Sequence, residues 1–258
     1  MPSRRTYLAG FVGGTAVGLA GCTTPEENAI ESVGTAVPVG DSETATLHGV
    51  SIQRQFTFIN GSHFRVGGEA DRVYLFARGT ANLAEHPFEL QLDDQRFATT
   101  NEVAGIRVSN VRFDREQVSD PGLYAFDLPA TLDDGDANIV LADRDATVGW
   151  SLSEDAITRL FDPPSFENID LMTPDSASKG DSVDVTVIAK NAGGSDGTFF
   201  AELGPTTYSD SPEIYVDVPA QSTGEATETF STASAPDNKF TIRLKWGYES
   251  VERTVELS

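Results

Sequence analysis

The chain reads as an all-β protein, built as two immunoglobulin-like β-sandwich domains behind an N-terminal signal segment and a tether. Three observations predict it. Residues 163–258 hold stretches in which apolar side chains recur at every second position, the period of a half-buried strand. Residues 44–162 are equally rich in strand patterns and carry a single helical one. Between the two blocks stands Pro163-Pro164, which can neither continue a helix nor donate to a ladder.

Residues 1–21 come first. Ser3 to Cys22 begins with Arg4 and Arg5, continues through an apolar run from Tyr7 to about Ala20, and closes on small residues before Cys22. That is the layout of a secretory signal, and the apolar run falls short of the ~20 residues that span a bilayer comfortably. Ser3-Arg4-Arg5-Thr6-Tyr7-Leu8 resembles the twin-arginine export signal, with Tyr7 where that family usually has phenylalanine and Ala9 where it often has lysine. Leu19-Ala20-Gly21-Cys22 resembles a lipobox. Together these resemblances imply export in the folded state, cleavage before Cys22, and a lipid anchor on its thiol at the outer face of the cell membrane. Cys22 is the only cysteine, so no disulfide can form within the chain even at an extracytoplasmic destination.

Residues 22–43 follow as the lipidated cysteine and its spacer. "TTPEENAIESVGTAVPVGDSE" is small and acidic with few large apolar side chains, and it reads as a flexible tether.

In residues 44–162 the strand patterns are "HGVSIQRQFTFI", "DRVYLFARG", "PFELQLDDQRFA", "GIRVSNVRF", "GLYAFDLPA", "ANIVLAD" and "TVGWSLS". "SEDAITRLF" predicts a short helix with Ser153 as N-cap and Glu154 and Asp155 in its first turn, where the backbone N–H groups favour acids. The pattern "GLYAFDLPA … GWSLS" resembles telokinin-like, immunoglobulin-related domains of secreted lipoproteins.

Residues 163–258 show the sharpest alternation. Val183, Val185, Val187 and Ala189 share one face of "DSVDVTVIAKN", and Phe240, Ile242, Leu244 and Trp246 share one face of "KFTIRLKW". With "FENIDLM", "GTFFAELG", "EIYVDVP", "EATETFSTA" and "SVERTVEL", seven strands separated by turn residues predict an immunoglobulin-like sandwich. Gly180-Asp181, Asn191-Ala192-Gly193 and Val218-Pro219-Ala220 stand in this block as its turns; by these it resembles the CARDB-like immunoglobulin-like modules of prokaryotic surface proteins. That family has no common catalytic residue, so the resemblance implies fold and surface location only.

Candidate sites are few. Asp134, Asp136, Asn138 and Asp145 take the first, third, fifth and twelfth positions of a calcium-loop pattern, but the sixth, glycine in such loops, is Ile139 inside a strand pattern; the segment reads as an acidic turn. His48, His63 and His86 have no metal-ligand spacing, and no His-Glu-x-x-His motif occurs. No catalytic residue, metal or cofactor is therefore expected. Trp150 and Trp246 fall in phase with core positions, and Tyr248 in "WGYES" reads as an exposed loop aromatic. Arg54, Arg65, Arg72 and Arg78 either pool into an anion-binding face or, as their fork geometry favours, pair with carboxylates. Asn60-Gly61-Ser62 is both a glycosylation sequon and a tight-turn signal.

The function class that emerges is a non-catalytic binding or scaffolding module on the cell surface, its partners the membrane through Cys22 and a protein or glycan. An accessory subunit of a membrane transporter or respiratory complex, and a secreted hydrolase, are the alternatives. Composition excludes nucleic acid as a partner: the net charge is −22, and Met1–Gly21 contributes two arginines and no acid, so its removal makes the mature chain more negative still. Fourteen of eighteen basic residues are arginine, and this acid surplus with scarce lysine resembles secreted proteins of extreme halophiles. Charge repulsion reaches about 3 Å in molar salt and about 30 Å in 0.01 M salt. The melting temperature is therefore expected to fall steeply on dialysis from molar to millimolar salt, as circular dichroism would record; an unchanged value contradicts a salt-requiring surface.

Overall fold

The computed structural model describes residues 28–39, 42–61, 63–80, 83, 86–113, 116–117, 122–142, 147–207, 211–236, 238–247 and 249–258. Among them it is all-β, two immunoglobulin-like β-sandwiches in tandem with one short helix.

The strands of the first sandwich are, in order, β1 (Asn28–Ser32), β2 (Ala36–Pro38), β3 (Thr44–Gln53), β4 (Phe56–Asn60), β5 (His63–Gly67), β6 (Arg72–Gly79), β7 (Phe88–Leu92), β8 (Gln95–Ala98), β9 (Glu102–Val103), β10 (Ile106–Arg107), β11 (Arg112–Phe113), β12 (Glu116–Gln117), β13 (Leu123–Pro129), β14 (Ala137–Leu141) and β15 (Thr147–Ser151). One sheet runs β1-β15-β14-β7-β8 and faces another, β13-β6-β3-β2. Val37, Leu75, Leu90, Phe126, Ile139 and Trp150 fill the space between them, all but inaccessible to water. The Trp150 indole satisfies its N–H on the Thr35 carbonyl at 2.8 Å, as a buried indole must.

Helix α1 (Glu154–Phe161) follows β15 and leads into the joint. Ser153 caps it, accepting from the Ala156 N–H, with Glu154 and Asp155 in the first turn as its sequence predicts. Ala156 and Leu160 bury against the first core.

The second sandwich contains β16 (Phe166–Met172), β17 (Ser176–Ala177), β18 (Ser182–Asn191), β19 (Gly197–Pro205), β20 (Glu213–Val218), β21 (Thr223–Ser231), β22 (Lys239–Trp246) and β23 (Glu249–Leu257). Its sheets are β16-β18-β21 and β17-β23-β22-β19-β20. The alternating residues of β18 and β22 point inward as predicted, apart from Trp246, which is half-buried at the core's edge with its ring 5.9 Å from Phe199. Both sandwiches share one plan: a short strand lies parallel to the last strand (β1 on β15, β17 on β23), and the rest of that sheet is antiparallel.

Two expectations are corrected. The tether does not extend to residue 43: β1 pairs with β15, and β2 pairs with β3. Val37 and Val39 suffice to hold this small, acidic segment, because the sheet edges supply its backbone partners while the two valines enter the core. The stretch "HGVSIQRQFTFI" is likewise not one strand but β3 and β4, with a corner at Arg54-Gln55. Phe56 and Phe58 cross there to the outer face of β6, where they pack with Tyr74, Phe76, Val111 and Phe113 in a second, smaller core. Strand β6 is consequently buried on both faces, which is why "VYLFA" reads as an unbroken apolar run.

A buried amide organises the second-domain side of the joint. Asn191 ends β18 with no exposed surface. Its Oδ1 accepts from the N–H groups of Ser165 (3.0 Å) and Gly193 (3.0 Å), and its Nδ2 donates to the carbonyls of Ser195 (2.8 Å) and Val218 (3.2 Å). The glycines after it are required by close approach: a Cβ on Gly193 collides with the Pro163 carbonyl, and one on Gly197 with the Pro164 ring. Replacing Asn191 by alanine strands buried backbone groups at about 1–3 kcal/mol each. Asn191→Ala is thus expected to lower stability by about 3 kcal/mol in a urea titration, and a loss under about 1 kcal/mol contradicts this role.

Candidate functional site

The sandwiches meet along a cleft of about 540 Å³. Its first-domain wall is the end of β3 (Ser51 to Gln53), the Arg54-Gln55 corner, Thr57 on β4, Arg112 on β11 and Arg159 in the last turn of α1. Opposite stand Pro164, Phe166, the Asp196 to Thr198 segment, Phe200, and Asp217 to Pro219. Three arginines thus face two aspartates in a chain whose net charge is −22.

The wall is built from additions to the shared strand plan. The hairpin β4–β5 interrupts the path from β3 to β6, and β9 to β12 interrupt the path from β8 to β13; the second sandwich has neither. The Arg54 corner is tight, since a Cβ on Gly68 (φ +129°) collides with the Arg54 carbonyl.

Two ion pairs close the joint beside the cleft. Arg112 Nη1 lies 2.8 Å from both carboxylate oxygens of Glu213 and 3.3 Å from the Tyr215 hydroxyl, with its guanidinium 4.4 Å from the centre of the Phe64 ring. The side chains of Arg112 and Glu213 are only 14% and 13% exposed, so this pair is shielded from the screening that makes surface pairs weak. Arg65 Nη1 reaches the Glu202 carboxylate at 3.0 Å.

Arg54 is placed differently. Its Nη1 donates to the Ala70 carbonyl at 3.1 Å, its Nε is buried without an acceptor, and among the described residues it has no carboxylate within ion-pair range. Burial pulls its pKa down and nearby Asp162 pushes it back up; the guanidinium stays charged. The Gln55 Oε1 is also buried without a donor. Arg159 is exposed at the mouth, again with no ion pair among the described residues. The aspartates are engaged: Asp196 accepts from the Ala220 N–H at 2.8 Å and Asp217 from the Thr198 hydroxyl at 2.6 Å.

The remaining sequence candidates do not converge. Arg4, Arg5, Leu19, Ala20, Gly21, Cys22, Asp145 and Tyr248 lie outside the described residues. Asn60 is exposed at the tip of β4, where Gly61 (φ +65°) makes the turn. Ile139 is fully buried in β14 and Asn138 is paired within the same strand, so Asp134 and Asp136 lead into a strand and not into the sixth-position turn of a calcium loop. His48, His63 and His86 stay apart, and among the described residues no group of three or more His, Cys, Asp or Glu could hold a metal.

The four arginines singled out from sequence do not pool into one face. Arg65 pairs with Glu202, Arg72 donates to Asp127 at 2.6 Å, Arg78 is exposed, and only Arg54 reaches the cleft. Arg112 and Arg159 were not legible as its companions. The one available signal was the position of Arg159, a basic residue in the last turn of a helix that runs into the Pro163-Pro164 joint.

No protein-family model matches the chain, and no curated protein matches it. Among solved structures, "Anomalous substructure of Titin-A168169" is similar at 11% identity, covering 73% of this chain and 90% of that one, with a TM-score of 0.19. At that score the backbones do not superpose, and the fold rests on this chain's own sheets. Among the described residues no helix is long and apolar enough to cross a membrane.

Removing one partner of a buried ion pair costs about 3–5 kcal/mol, because the other charge is left uncompensated. Arg112→Met and Glu213→Gln are each expected to lose about 3 kcal/mol in urea melts, and the double variant less than the sum; strict additivity rules out coupling across the joint.

Proposed function

We propose that the protein is a lipid-anchored surface protein, exported by the twin-arginine route in a halophilic cell, which works by binding or scaffolding and not by catalysis. In this reading its second sandwich is a CARDB-like module, and Cys22 carries the lipid. The observation that carries the binding role is the interdomain cleft. It is a concave space of ordinary ligand-site size, with its second-domain wall shaped by Asn191 and the two domains bridged beside it by the Arg112–Glu213 pair. Among the described residues it presents arginines, hydroxyls, amides and aromatic rings, and Ser195 of the adjoining Gly193-Gly194-Ser195-Asp196-Gly197 run is buried with no hydrogen-bonded base on its hydroxyl. The export and anchoring part is supported by Arg4 and Arg5 ahead of the apolar run and by Leu19-Ala20-Gly21 before the sole cysteine.

The test uses Cys22→Ser expressed in a host with twin-arginine export. The wild-type chain is expected in the membrane fraction, with a mass showing cleavage before Cys22 and added acyl chains. The variant should lose the lipid mass and leave that fraction. A variant still membrane-bound at unchanged mobility overturns the anchor. A pull-down in high salt with the anchored protein, using the variant as control, then reads the partner.

A further inference from the structure

The cleft's own chemistry narrows what it takes. We propose that it binds a short acidic saccharide, its carboxylate or sulfate held by Arg54 and Arg159 and its sugar ring laid against Phe166 and Phe200; this rests on the binding role proposed above.

Charge is the first argument. The chain is strongly acidic, yet the cleft carries three arginines against two aspartates. Arg112 is committed to Glu213, whereas neither Arg54 nor Arg159 has an ion pair among the described residues. Two guanidiniums outside any ion pair, in an otherwise acidic chain, select an anion, and their planar forks suit carboxylate and sulfate oxygens.

Unsatisfied polar atoms are the second. Native structures leave few buried polar atoms without partners, and each one calls for a reason. Arg54 Nε and Gln55 Oε1 are two such atoms at adjacent positions of one corner on this cleft. Seating an anion on Arg54 compensates a partly buried guanidinium whose Nε has no acceptor.

The rest of the lining selects a sugar over a simple anion. Phe166 and Phe200 are half-buried, each fixed edge-on by a neighbouring ring, Phe199 at 5.6 Å and Tyr215 at 5.5 Å. Rings held in this way present apolar surface to the C–H face of a pyranose at little entropic cost. Gln53 lines the cleft and offers both donor and acceptor, the pairing that hydroxyl groups need. A volume of about 540 Å³ lies within the ~300–1,000 Å³ of small-molecule sites and suits one or two sugar rings.

The experiment titrates the full-length chain, in detergent and molar potassium chloride, with digalacturonate, a sulfated galactose disaccharide and neutral galactobiose, read by calorimetry. The expected result is that at least one of the two acidic sugars binds and the neutral one is at least about tenfold weaker, the uronate and sulfate arms identifying the anion. Arg54→Gln and Arg159→Gln should each weaken the acidic sugar by about tenfold, with unchanged far-ultraviolet circular dichroism showing that the variants fold. Equal affinity for galactobiose, or wild-type affinity in Arg54→Gln, overturns the assignment. So does failure of all three sugars to bind, and this arm needs no variant to fold. If no sugar binds while the anchored protein still captures a partner in the high-salt pull-down, the saccharide assignment fails and the binding role stands.

Discussion

The second sandwich's side of the joint, and with it one wall of the cleft, depends on the side-chain amide of Asn191. It sits where three stretches of backbone meet: the joint at Ser165, the glycine loop through Ser195, and the end of β20 at Val218. The first two lie outside the strand ladders, and the third stands where a ladder ends. One asparagine, with two acceptor and two donor positions, satisfies them all in a place water cannot enter. Because the same segments form the second-domain wall of the cleft, the amide that completes the sandwich also fixes that wall. The glycines enforce the contact from the other side, since any larger residue at 193 or 197 pushes the proline joint away.

The joint therefore has two fastenings of different character. The Asn191 network is neutral, buried and local, and salt leaves it nearly untouched. The Arg112–Glu213 and Arg65–Glu202 pairs are charged and span the two domains; the first is protected by burial and by the Phe64 ring, while Arg65 is the more open. For a chain with so large an acid surplus this division matters. The unpaired surplus of carboxylates adds to the repulsion between the halves, whereas these pairs place arginine against glutamate where the halves touch.

How much of this was legible in the sequence follows from the range of the interactions involved. The strands of the second sandwich were readable because one face of each is buried and the other wet, which writes a period of two into β18 and β22. The cap on α1 was readable because Ser153 acts three residues away. Strand β6 was readable as a strand but not as a middle layer, although its unbroken "VYLFA" run carried that information. Residues 28–39 were misread because composition argued against burial, while what holds them is backbone pairing to β15 and β3, which side chains do not announce. The cleft was invisible for a plainer reason. Arg54, Arg112 and Arg159 are far apart in the chain, they come from a corner, an inserted strand and a helix end, and only the docking of a second domain gives them a common space. The Asn191-Ala192-Gly193 turn was noticed, but for its shape; its service to the joint depends on Ser165 and Val218.

The parallel strand on the edge of each sandwich has a mechanical meaning. In the first, Asn28 to Ser32 runs alongside Thr147 to Ser151, in the same direction. A pull applied between the amino end of the chain and an object seated in the cleft is carried through this pairing. Because the strands point the same way, the load falls along them, and the hydrogen bonds between them must give way together instead of one after another. A hairpin edge in that place would peel open from its end. A seam of this kind replaces gradual peeling with a single collective rupture of its five paired residues.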